Sequence, residues 1–486
     1  MTKKDIFFGL LIVIALVVFI QRDFFFTTLP NKIWGPYRYK SHELRIVLNS
    51  PETSLSPYSL SLDDLIRTGN LYEGLVSFDR TLKIVPALAV TWGNIDPTTW
   101  VFKLRQEVVF HDGSAFNAQS VIQSLEAARQ AGGAVKNLLQ TVQDIKVVDP
   151  YTIHVITTAP DPLILSKLTK FFISKPGNIG TGSYTVKTGG NGAPLELVAF
   201  DHYWGQRPVY KTAVYQVTQN MTQRKTDFEG GLTDILVAVP KDQALELPKE
   251  QVKTSYSLEV NFMMFKLDDP LLSDRTMREN IRAMIDPARI EEIGNNFVRR
   301  VSQFVAPGVF GYNLKIPMFT YDETKRPKNL FGEQKMKISL DYLSTYKTLV
   351  EYLEKQFEDA GFLFRGNELT PEELLDKIKK NESQLYILGW QAENGDAGDF
   401  LDAFIKSNGE YNPSRYSNAV VDALIEKSRQ ELSPPRRLEL LQKIMELVND
   451  DLIGIPLFES SRLYAVKKGI QWEPRLDGLV LAKEVR

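Results

Sequence analysis

The sequence predicts an α/β fold, and three observations predict it. Short runs with apolar residues at every second position, the mark of half-buried strands, recur along the chain. Between them lie segments with apolar residues three and four apart, several opened by a capping residue or closed by glycine. The 486 residues are 43% hydrophobic and 11% aromatic, too rich for disorder. At about 150 residues per domain the length suggests roughly three domains.

At the N-terminus, Lys3 and Lys4 precede an uninterrupted apolar run from Ile6 to Ile20. Gln21-Arg22-Asp23 closes it, and Phe24-Phe25-Phe26 follow. This is the pattern of a secretion signal or a signal anchor. A cleavable signal needs small residues just after the run, and bulky aromatic ones stand there. We read residues 1–26 as an uncleaved transmembrane anchor and 27–42 as a tether. A cleaved signal, releasing the protein to the periplasm, and a buried core helix are the alternatives. Fifteen helical residues span only about 22 Å of a ~30 Å hydrocarbon core. The phenylalanines and a snorkelling Arg22 would extend the span.

The body opens with a strand at 43–49, where Leu44, Ile46 and Leu48 alternate with polar positions, and a helix near 61–73. Residues 92–110 are aromatic and β-branched and end at the turn His111-Asp112-Gly113. A helix at 117–130 has Val121, Leu125 and Ala128 on one face, and strands at 142–148 and 151–157 flank Asp149-Pro150. Two short strands fall within 180–200, another at 212–218, then a polar helix near 221–230. Asp274 caps a helix at 275–285, and Asp286-Pro287 opens the next. Strand 335–341 precedes helix 345–360, which Gly361 ends; Thr370 and Glu373 form a capping box. Strand 384–390 ends at Trp390, and Ser433-Pro434 opens a final helix with Leu438, Leu441, Met445 and Val448 inward.

Composition and motifs exclude several functions. The 58 Lys+Arg nearly balance 60 Asp+Glu, so neither nucleic acid nor an anionic surface is the expected main partner. With no cysteine, disulfides, thiolate metal sites, cysteine nucleophiles and lipidation at an N-terminal cysteine are closed. Gly189-Gly190-Asn191-Gly192 lacks the Lys-Ser/Thr of a phosphate loop and reads as a hairpin turn. His42, His111, His154 and His202 have no metal-ligand spacing. No enzyme, cofactor or metal is expected.

Several segments together resemble the family 5 extracellular solute-binding proteins, the peptide, dipeptide and nickel receptors of ABC importers. They begin with Leu71-Tyr72-Glu73-Gly74-Leu75-Val76, Val85-Pro86-Ala87-Leu88-Ala89 and Trp92. The most specific runs from Trp100-Val101-Phe102-Lys103-Leu104-Arg105 to Val109-Phe110-His111-Asp112-Gly113, with Phe116, Ala118, Val121 and Ser124 following. Gly180-Thr181-Gly182-Ser183-Tyr184, Tyr203-Trp204, Gly231 to Ile235, Met277-Arg278 to Ile285-Asp286, Leu388-Gly389-Trp390 and Ile455-Pro456-Leu457 complete the set. The resemblance implies a two-lobed, periplasmic-binding-protein-like fold with a hinge. One lobe would join 43–71, 179–258 and 455–486 into a discontinuous sheet domain carrying a small extra domain at 72–178. The other would be 259–454.

The resemblance also implies a ligand cleft between the lobes. In peptide-binding members an Asp three residues after the Trp of this motif holds the ligand's α-ammonium; here that position is Glu393, with Asp396 the second carboxylate. A carboxylate suits a cation because the charge-assisted bond strengthens where water is excluded. Trp390 and Phe458 would offer aromatic walls, Tyr416 and Asn418 the far wall, and Asn261 with Phe262 the hinge crossing. The implied protein captures oligopeptides on the outer face of the cell membrane and passes them to ABC permease subunits driven by separate ATPase chains. The alternatives are the same fold on a metal chelate, haem or sugar oligomer, and an anchored sensing module without transport.

Overall fold

A computed structural model describes residues 42–49, 54–190, 193–392, 394–409, 412 and 414–486. The N-terminal anchor and almost all of the tether expected from sequence lie outside the described residues. Among the described residues no helix is long and apolar enough to cross a membrane.

Helices and strands alternate as the periodicity predicts, around three sheets among the described residues. The largest has eleven strands among the described residues. Its order is Phe362–Leu369, Met336–Leu343, Leu385–Gln391, Val252–Phe265, Gly454–Val466, Ile235–Leu236, Leu44–Leu48, Thr212–Val217, Ala193–Ala199 and Tyr184–Gly190. Val298–Arg299 pairs with Gly454–Val466 off this path.

Two long antiparallel strands, Val252–Phe265 and Gly454–Val466, carry the sheet from one lobe to the other. Val252–Tyr256 pair with Ser461–Ala465, and Val260–Met264 with the Gly454–Glu459 half. Pairing breaks between these blocks, and Leu258 sits there at φ 60°. A left-handed leucine costs roughly 1–2 kcal/mol, so other bonds must hold it. The fully buried Glu459 accepts from the Leu258 N–H at 3.1 Å and from Arg299 Nε at 2.5 Å. Ser257 Oγ donates to Ser460 O at 2.9 Å.

The second lobe packs a core on each face of its sheet. Val260, Phe262 and Met264 face one, with Phe304, Phe400 and Leu441; Met263 and Phe265 face the other, with Ile338, Leu353 and Phe362. Val252–Phe265 is therefore buried on both faces over its second half and shows no alternation, which hides it from a period-two reading.

A separate four-stranded sheet runs Ala89–Asp96, Thr99–Leu104, Thr152–Thr157 and Val142–Asp149 in that order. Trp100 and Phe102 share its core with Val121, Leu125 and Ala128 of the helix Ala118–Ala131, which Asn117 and Ser120 open with a reciprocal capping box. Two elements differ from expectation. The helix expected to reach 73 is Leu62–Thr68, because the Asn70 side chain donates to Ile66 O and Arg67 O and ends it. The stretch 92–110 is a hairpin that begins at Ala89 and turns at Asp96, whose side chain accepts from Thr98 N.

The motif turns have a packing cause. His111 Nδ1 accepts from Gly180 N at 3.2 Å and its Nε2 lies 3.1 Å from Gly182 O. A Cβ on Gly180 would fall 2.0 Å from Leu71 O, and one on Gly182 2.4 Å from Asn70 O. The glycines let three motif segments touch backbone to backbone.

Candidate functional site

A cavity of about 440 Å³ lies between the lobes, within the range of small-molecule sites. The first lobe supplies three stretches of wall: residues around Tyr72-Glu73-Gly74, the hairpin Val76–Phe78 with Ile84–Pro86, and the C-terminal segment from Arg475 to Glu484. Leu258 at the break in the strand pairing and Gln391 with Ala392 of the second lobe face them.

Glu73 anchors one end. It is 7% exposed and both its oxygens are occupied. Oε1 accepts from the Tyr203 hydroxyl at 2.8 Å; Oε2 accepts from Trp204 Nε1 at 2.7 Å and Thr181 Oγ1 at 3.0 Å. Burial beside this carboxylate drives the Tyr203 hydroxyl well above its ordinary pKa, so it stays a donor. The Arg105 guanidinium lies 4.0 Å over the Trp204 ring, and Lys483 Nζ is 3.9 Å from Glu73 Oε1.

The hairpin tip is built by Asp79, whose Oδ1 accepts from Thr81 N, Thr81 Oγ1 and Lys83 N. Its far side is tied to the C-terminal segment. Arg475, 3% exposed, donates to Phe78 O and Asp79 O and pairs with Asp477 and Glu484, and Leu476 N donates to Arg80 O. Leu82 at the tip, at φ 66°, reaches the second lobe: a Cβ on Gly395 would stand 3.2 Å from Leu82 Cδ1.

Glu393 lies outside the described residues. None of the other residues expected at the ligand lines this cavity. Trp390 turns its ring into the second lobe's core, edge-on to Phe404 at 5.0 Å, while the next two residues face the cavity. Asp396 is 4% exposed, and Arg437, equally buried, takes both its oxygens; Gly398 N donates to it at 2.8 Å. Asn261 is held by the Tyr346 hydroxyl at 2.6 Å and by Ser460 Oγ at 2.7 Å, and Phe262 is fully buried. Phe458, the partner of Asn261 across the strands, packs on the core behind. The Tyr416 hydroxyl donates to Asp451 at 2.6 Å, and Asn418 caps the helix Ala419–Gln430 through Val420 N and Val421 N.

Sequence reasoning passed over Glu73, Tyr203 and Trp204 as site residues, although all three stand in the quoted motifs. It had no signal for Lys483, whose segment matches no motif. Among the described residues no group of three His, Cys, Asp or Glu side chains could hold a metal ion.

Comparison with known proteins agrees with this architecture. The model of the bacterial extracellular solute-binding proteins, family 5, matches residues 83–412. The dipeptide-binding protein of Escherichia coli K12 is 22% identical over 461 residues, covering 82% of this chain and 86% of that one. The periplasmic murein tripeptide-binding protein in its unliganded open form superposes with a TM-score of 0.81 at 17% identity, over 92% of this chain and 97% of that one. A nickel ABC transporter structure from Bacillus halodurans gives 0.81 at 21% identity, over 91% and 99%.

Proposed function

Because the chain belongs to family 5 of the bacterial extracellular solute-binding proteins, whose members bind solutes for ABC importers and are not enzymes, we propose that it captures short peptides in the interlobe cavity. The observation that carries this reading is the cavity itself, walled by both lobes, with Leu258 at the break in the strand pairing between them. Its 440 Å³ suits a ligand of a few residues. Contacts made to both lobes at once favour the closed arrangement, and that preference drives closure. Glu393 follows directly on Gln391 and Ala392, which line the cavity, and receives the ligand's α-ammonium. On this reading the domains are 43–71 with 179–258 and 455–486, the small domain 72–178, and the second lobe 259–454. The run Ile6 to Ile20 serves as the membrane tether in place of a lipid on an N-terminal cysteine, which this chain lacks.

Titration calorimetry of the full chain against short peptides with a free amino terminus tests the ligand class. Binding is expected, weakened about tenfold or more by Glu393→Gln. No heat from any peptide of a diverse library would overturn it. N-terminal sequencing of the mature protein, beginning before Ile6, is the result expected of an uncleaved tether.

A further inference from the structure

Resting on the reading of this cavity as a peptide cleft, we propose that Lys483 forms an anion subsite that takes the carboxylate of the bound ligand. Among the described residues four acids line the cavity, and each is already engaged by protein donors. Glu73 accepts three hydrogen bonds. Asp79 is folded onto its own turn. Asp477 pairs with Arg475, and Glu484 pairs with Arg475 at 2.7 Å and Arg80 at 3.3 Å. A ligand ammonium arriving at this wall finds no free acceptor among them.

Lys483 is the opposite case. Its side chain is 27% exposed and its Nζ lies 3.4 Å from the Tyr203 hydroxyl and 3.9 Å from Glu73, with no closer acceptor among the described residues. An ammonium has three donors, and this one commits one of them weakly. Arg105 adds a second cation beside the same carboxylate; it is held over Trp204 with its Nε on Ala87 O, so Glu73 leaves this end one positive charge in surplus. A carboxylate entering here makes a charge-assisted bond to Nζ without breaking an existing pair.

The test uses full-length protein and three probes: trialanine, trialanine amide and acetylglycine. Calorimetry of the wild type is expected to show the amide binding about tenfold or more weaker than the acid. In Lys483→Met the two are expected to bind alike, and in Lys483→Arg the preference returns. Equal affinity for acid and amide in the wild type, or an undiminished preference in Lys483→Met, overturns the subsite. Acetylglycine has a carboxylate and no ammonium, so it separates this proposal from the peptide reading. With lysines ¹³C-labelled at Cε, the Lys483 signal, assigned through Lys483→Arg, is expected to shift saturably with acetylglycine. A shift with neither trialanine bound removes the peptide reading and keeps the subsite; no shift removes the subsite whichever peptide binds.

Discussion

Arg437 and Asp396 show how a residue that looks available in sequence can be spent in structure. Asp396 was legible as a carboxylate near a motif tryptophan. Its partner lies 41 positions away, on a helix whose inward arginine reads in sequence as a surface charge. Removing one member of such a pair strands the other's charge in the core. Arg437→Met is expected to cost about 3–5 kcal/mol of stability, measured by urea unfolding, and Asp396→Asn added to it should recover part of the loss. His111 carries a second residue-scale consequence. Burial holds its ring below the ordinary imidazole pKa, so the unfolded chain binds the proton more readily. The stability this neutral ring contributes is complete above about pH 6.5 and is lost as pH falls toward the folded value. The urea midpoint of the wild type should therefore drop more between pH 7.5 and 5.5 than that of His111→Gln; parallel declines would exclude the ring as the cause.

At the scale of elements, capped helices and alternating strands were legible because their signals are local. Asp274, Asp286 and Thr370 cap as read, and the strands Leu44–Leu48 and Thr212–Val217 fall within their expected ranges. The long central strand Val252–Phe265 was not legible, since burial on both faces over its second half removes the alternation and Leu258 breaks its pairing. The hairpin tip was missed for another reason: its importance lies in what it touches across the cleft. Leu82 Cβ stands 3.8 Å from where a Cβ on Gly395 would be, the separation a disulfide needs. In a chain without cysteine, Leu82→Cys with Gly395→Cys introduces the only two thiols. Oxidised, the pair is expected to slow ligand exchange about tenfold or more, with the rate restored by reduction; stopped-flow fluorescence of the cleft tryptophan Trp204 reads it. Unchanged exchange in the oxidised form would show that this contact does not open during binding.

For the whole molecule, alternating elements were enough for the α/β class, and the ordered motifs were enough for two lobes. The cavity lining was not legible, because it is assembled from parts of the chain remote in sequence. Arg80 meets Glu484 across 404 positions, and Asn70 accepts from Ala482 N across 412. This has a consequence for biosynthesis. A chain that emerges with its N-terminus leading exposes the hairpin 76–86 long before residues 475–484 exist to back it, and the entire second lobe must appear in between. Contacts of such sequence separation form late, after the local ones have paid down most of the chain's entropy. The interlobe cavity is thus among the last parts of the protein to mature, and a partly made chain lacks its finished walls.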